Sequence, residues 1–276
     1  MNDETISFAD FTADHLDGAL ALSAAAGWPH RRDDWALVFG LGRGFVALAD
    51  GRVVGTMLAT PQGDVAMLNM LIVEAGLRGR GIGRALMERA LASTADRERR
   101  LVATAEGAPL YRRLGFVETG AIVQHGGACP VLAAPAGIEP ARPDDHAAIV
   151  GLDRAATGAD RTAMWAAFAG VAERTVLRRD GGVRGFAASR RFGRGEVIGP
   201  VIAETLDDAE RLVVEALSRR AGGYVRIDTT GSCGLSARLA ALGLPIVGGG
   251  IAMRSQARDR PPAGVGVFGL AAQALG

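Results

Sequence analysis

Met70-Leu71-Ile72-Val73-Glu74-Ala75-Gly76-Leu77-Arg78-Gly79-Arg80-Gly81-Ile82-Gly83-Arg84-Ala85-Leu86 begins as an apolar strand, turns through a short Gly/Arg loop and continues as a helix. Gly79, Gly81 and Gly83 carry no Cβ, so the backbone there can turn sharply and come close to a ligand. The loop's N–H groups converge at the positive end of the helix, which makes an anion site. Arg78, Arg80 and Arg84 add cationic donors suited to phosphate.

Spacing excludes two commoner phosphate loops. The dinucleotide fingerprint needs a third Gly three residues after the second; that position holds Arg84 or Leu86, depending on where the count begins. The nucleoside-triphosphate loop needs Gly-Lys-Ser/Thr, and the sequence contains no lysine. What remains is Arg78-x-x-Gly81-x-Gly83 directly after an apolar strand. This resembles the acyl-CoA loop of the GNAT N-acetyltransferases, Arg/Gln-x-x-Gly-x-Gly/Ala. A second stretch, Leu110-Tyr111-Arg112-Arg113-Leu114-Gly115-Phe116, resembles that family's Leu-Tyr-x-x-Leu-Gly-Phe motif. Two motifs at family-like separation are far more specific than either alone.

The totals are compatible. A chain of 276 residues is long for one core and comfortable for two domains. Its 49% hydrophobic and 22% charged residues describe a globular protein. A net charge of +1 argues against nucleic acid as partner. No apolar run is long enough to span a bilayer, and the acidic start Met1-Asn2-Asp3-Glu4 does not read as a signal peptide. Cys129 and Cys233 show no metal-ligand spacing and fit reduced thiols of a cytoplasmic protein. No metal site is expected.

Read in order, residues 5–9 alternate as a first strand. Two helices follow, the first capped by Thr12 or Asp14 and the second by Asp33 or Asp34; Gly27-Trp28-Pro29-His30 breaks between them. Strands at 44–49 and 52–59 flank Asp50-Gly51, a hairpin signal, and 65–73 is the strand that enters the loop. A helix after the loop, a strand at 101–104, a short helix ended by Gly115 and a strand from 117 to 124 complete the half. Arg97-Glu98-Arg99-Arg100 reads as a solvated helix end. Gly, Pro and Ala dominate 126–143, which marks a boundary.

The second half repeats the element order without repeating the residues. Two helical runs precede strands at 174–178 and 183–189 around Asp180-Gly181-Gly182, then a strand at 195–203. A helix capped by Asp207 or Asp208, a strand at 224–229, a helix at 235–242 and a strand at 245–254 follow. Where the first half carries Arg78–Gly83, the second has Ala203-Glu204-Thr205-Leu206-Asp207-Asp208. Three carboxylates there would repel a diphosphate and compete for the helix start, so this half is expected not to bind CoA. The basic loop Arg190-Arg191-Phe192-Gly193-Arg194-Gly195 reads as a solvated hairpin tip. The apolar tail at 265–275 is free to pack on either half.

The expected fold class is α+β with a mixed sheet: two tandem GNAT-like acyl-CoA N-acyltransferase domains. Residues 1–130 form the domain with the CoA loop, and 137–276 a degenerate copy that shapes the substrate pocket or supports a homodimer. The resemblance implies acetyl-CoA as cofactor, held by Leu71, Ile72, Val73, Arg78, Gly79, Arg80, Gly81, Ile82, Gly83 and Arg84. It implies an oxyanion donor from the backbone of Val73 or Leu71 at a strand splay, and Tyr111 as the general acid that protonates the departing sulfur. A phenol, with a pKa of about 10, is protonated at neutral pH, as an acid must be. The acceptor would be a primary amine of a small molecule or an amino terminus, attacking directly in a ternary complex. Trp28, His30 and Asn69 are candidates for its pocket. The general base stays open among His30, His125 and ordered water, with Glu74 placed outside the reaction centre. The alternative is an acyl-CoA-binding or sensing protein without turnover; a third reading is a scaffold in which the second half mediates association.

Overall fold

Alternation of apolar residues with turn signals makes this chain a strand-rich one, and its strands join into one sheet. The computed structural model describes residues 5–260 and 263–276; the acidic start Met1–Glu4 lies outside the described residues. In the first half, β1 (Ile6–Asp10), α1 (Leu16–Ala25) and α2 (Arg32–Gly40) lead into β2 (Arg43–Ala49), β3 (Arg52–Gln62) and β4 (Val65–Val73). Then come α3 (Ile82–Ser93), β5 (Glu98–Ala103), α4 (Ala108–Arg113) and β6 (Val117–Ala128). The second half repeats this as β7 (Ile138–Pro140), α5 (His146–Thr157), α6 (Thr162–Phe168), β8 (Ala172–Arg179), β9 (Gly182–Phe192), β10 (Gly195–Ala203), α7 (Leu206–Ser218), β11 (Tyr224–Thr230), α8 (Leu235–Ala241) and β12 (Ile246–Ser255). It adds β13 (Gly266–Gly269). The fold is thus a mixed α/β sheet, as the order of elements implies.

The sheet order is β1-β2-β3-β4-β5-β12-β6-β11-β13-β10-β9-β8-β7. Each half therefore lends its late strand to the other. β12 lies between β5 and β6, and β6 pairs with β11 from Tyr224↔Ala128 to Thr230↔Ile122. Sheet edges are satisfied across the halves, because an unpaired row of N–H and C=O groups is costly when buried.

α3 packs on one face through Ile82, Leu86, Met87 and Ala90, against Phe45, Ala47, Leu101 and Met253. α1, α2 and α6 meet on the other, where Trp35, Ile149, Trp165 and Phe186 share a core built from both halves. α7 covers the second half through Leu212, Val213 and Leu217.

Two sequence expectations are corrected here. Arg97–Arg100 is not a helix end: β5 starts at Glu98, which is fully buried between Arg100 and Arg260. The 190–195 segment is not a solvated tip: Arg190 is 3% exposed, with its guanidinium over the rings of Phe168 and Phe192 and 3.9 Å from Asp34. In both places an ion partner from elsewhere in the chain replaces water. Helix caps also shift: α2 is entered at Arg31, whose amide donates to Asp34 at 2.8 Å, and α7 at Thr205.

Candidate active site

The centre of the first half is a bulge in β4. Thr56 pairs with Ile72, but Leu58 pairs with Asn69, so Met70 and Leu71 oppose the single residue Met57. Met70 takes φ 55°. The Thr56 hydroxyl donates to the Met70 carbonyl at 2.8 Å. Beyond the bulge β4 leaves β5: the two pair in parallel only from Val65↔Glu98 to Met67↔Arg100. A fork opens there. The Glu74 amide donates to Val54 of β3 at 2.9 Å, so by strand alternation the Val73 amide points the other way, into the fork. The Val73 carbonyl shares that edge and accepts from Arg78 Nε at 3.3 Å.

At the mouth of the fork, Gly79 and Gly81 take φ 79° and 83°, the left-handed region open to glycine. Nothing lies within 4 Å of where their Cβ atoms would be, so the loop faces open space. Gly81 is the N-cap of α3, and no side chain caps the helix; its first-turn amides are left for an anion. Arg80, Gly81, Ile82 and Ala85 line a cavity of about 400 Å³ beside the loop. Arg84 pairs with Glu88 at 2.8 Å and Arg78 with Glu106 at 3.4 Å, both on the surface. The first turn of α3 thus presents uncapped amides beside open space, a setting that favours an anion.

The matching place in the second half is closed twice. The Thr205 hydroxyl accepts from the Asp208 amide at 3.1 Å, so α7 caps itself, and Arg179 holds Asp208. The fork between β10 and β11, paired only at Glu196↔Val225 and Val197↔Arg226, is filled by β13. The apolar tail therefore lies where a ligand arm would, and the turn after it reaches back to β4, with Asn69 Nδ2 donating to Ala274 at 2.8 Å.

Tyr111 sits in α4, largely buried, with its ring 6.1 Å from Phe116. Burial pushes its phenol up to about 12, which keeps it protonated. Asn69 is buried on β4, held to Thr60 and the tail, with its Oδ1 unpartnered. His30 and Trp28 lie together, ring centroids 5.6 Å apart, at the seam with Phe192 of the second half. Burial lowers His30 to about 4, with Asp34 opposing and Arg226 assisting. Trp35 is core. His125 has both ring nitrogens engaged at 2.8 Å, by Leu244 and Ser236. Glu74 pairs with Arg52 on the surface. His125 thus has no ring nitrogen left to serve as base. Asp228 accepts from Gln124, Arg226 and Gln273, a network that ties β6, β11 and the tail together. Among the described residues no group of His, Cys, Asp or Glu is arranged for a metal ion, and no helix is long and apolar enough to cross a membrane.

Comparison with known proteins agrees with this geometry. Two family models, each described as an acetyltransferase (GNAT) domain, match residues 40–118 and 149–269. The uncharacterized N-acetyltransferase YitH of Bacillus subtilis is 26% identical over 223 residues, 78% of this chain and 79% of the relative. A crystal structure of an acetyltransferase candidate from Pyrococcus horikoshii superposes with TM-score 0.83 at 19% identity, covering 100% of this chain and 98% of that one. A tandem GNAT protein from the clavulanic acid biosynthesis pathway gives 0.67 at 20% identity, covering 93% and 100%. With a matching model in each half and the fold of a tandem relative, the chain belongs to the GNAT acetyltransferase family, with two such domains in tandem.

Proposed function

We propose that this protein is an acetyl-CoA-dependent N-acetyltransferase that acts on a primary amine of a small molecule or an amino terminus, by direct attack in a ternary complex. The observation that carries the reading is the pairing of an open fork and uncapped loop in the first half with a filled fork and capped helix in the second. Residues 1–130 would hold the reaction, and 137–276 would support it. Acetyl-CoA supplies an activated acyl carbonyl and a thiolate leaving group. The amides from Gly79 to Arg84 would hold its diphosphate, and the backbone of Leu71, Ile72 and Val73 its pantetheine arm. The Val73 amide, aimed into the fork, suits an oxyanion donor. Tyr111, kept protonated by burial, suits the acid at the departing sulfur. Trp28 and His30 border the acceptor side, and Asn69 braces the strand from the tail.

The test is a screen of primary amines with acetyl-CoA, reading free thiol. Acceptor-dependent thiol release supports the reading. CoA binding without release across a broad panel would establish the non-catalytic acyl-CoA-binding alternative.

A further inference from the structure

We infer that the acceptor amine also carries a carboxylate, which Arg254 and Arg100 seat over an apolar cavity at the seam of the two halves; this rests on the acetyl-transfer reading above. The cavity holds about 290 Å³. Leu101 and Met253 belong to the core under α3, so their strand neighbours Arg100, Val102, Ala252 and Arg254 face the other side of the sheet, and they line this cavity. Met67 lines it as well, and Met67↔Arg100 is the last pair before the fork opens. A molecule seated here lies at the strand pair from which the fork opens.

Among the side chains that line the cavity, three arginines face one glutamate. Arg100 and Arg254 are direct cross-strand partners of β5 and β12, and like charges so placed repel. Glu98 cannot neutralise both. Its oxygens accept from Arg100 at 2.7 Å, from Arg260 at 2.5 Å and from the Arg258 amide at 3.1 Å. Arg161, also on the wall, is held by Asp153 and by the Gly276 oxygen, so these groups do not serve Arg100 or Arg254. The Arg254 side chain makes no hydrogen bond or ion pair among the described residues. The pull on Arg100 has the same sense: burial lowers its proton affinity, Glu98 opposes this, and Arg260 and Arg254 add to the lowering. An anion between the two guanidiniums relieves that field, and the apolar walls exclude a heavily hydrated ligand. The pair exists only because a strand of the second half enters beside β5.

Two measurements on the full chain test this. In the first, matched amines are acetylated: leucine against leucinamide, and 6-aminohexanoate against hexylamine. The acids are expected to exceed the neutral partners at least tenfold in kcat/KM. Arg254→Gln should abolish the preference without moving the KM for acetyl-CoA, and Arg254→Lys should restore part of it. Arg254 is exposed and unpartnered, so both variants are expected to fold. In the second, calorimetry compares N-acetyl-leucine with N-acetyl-leucinamide, independently of turnover. Tighter binding of the acid that is lost in Arg254→Gln supports the anion seat even if no amine is acetylated, in which case the transfer reading alone fails. Equal or better use of the neutral amines, an unchanged preference in Arg254→Gln, or equal binding of acid and amide overturns the inference.

Discussion

The hydroxyl of Thr56 donates to the carbonyl of Met70 at 2.8 Å, the one residue of β4 held at positive φ. Both groups are buried, so removing the hydroxyl leaves a carbonyl without its partner at the root of the fork. Thr56→Val is expected to cost about 1–3 kcal/mol of stability and to lower kcat more than it raises KM for acetyl-CoA. Denaturant unfolding and steady-state kinetics read the two effects. A stability loss with unchanged kcat would separate the bulge from turnover.

The two helix starts predict opposite outcomes. Gly81→Ala meets no atom within 4 Å but must hold φ 83°, a left-handed cost of roughly 1 kcal/mol. Its main effect is expected on acetyl-CoA, with a KM increase of tenfold or more as the loop amides lose their aim. Thr205→Ala should cost about 1 kcal/mol of stability through the lost cap and leave acetyl-CoA binding unchanged. Thermal unfolding and calorimetry with CoA check both.

Tyr111→Phe should preserve CoA affinity and reduce kcat by roughly 100-fold, the lower range for loss of a general acid. Because burial raises the phenol to about 12, the wild-type rate should show no loss from Tyr111 ionisation between pH 8 and 10.5. Unchanged turnover in the variant would remove Tyr111 from the chemistry.

His30 predicts an acid-side weakness. Its folded value is lowered to about 4 against 6.5 in the unfolded chain, so the unfolded state takes up the proton first. Stability is therefore full above pH 6.5 and is lost as pH falls from there towards 4, by up to roughly 3 kcal/mol. Denaturant titrations of the wild type and His30→Gln across this range should differ in slope, the variant being flatter. Parallel slopes would contradict a neutral, buried His30 at the seam.

Much of the first half is legible in the residues. Asp50-Gly51 and Asp180-Gly181 each form the turn their type demands, with positive φ at both positions. The strand over residues 65–73 and the loop after it stand where alternation and glycine place them. The second half's missing phosphate loop is equally readable in Glu204, Asp207 and Asp208. The charged segments are not. Glu98 and Arg190 look solvated in sequence because local rules assign arginine-rich runs to water. They are buried because Arg260 and Asp34 meet them from 162 and 156 residues away.

The sequence by itself determined the hairpin turns and the glycine-rich loop at the start of α3, because these depend on glycine and turn residues within a few consecutive positions. Only the tertiary structure decided which strands exchange between the halves, that β13 fills the second fork, and that Arg100 faces Arg254. Strand pairing joins residues far apart in the chain, and its register is set by the shared core and not by either strand alone.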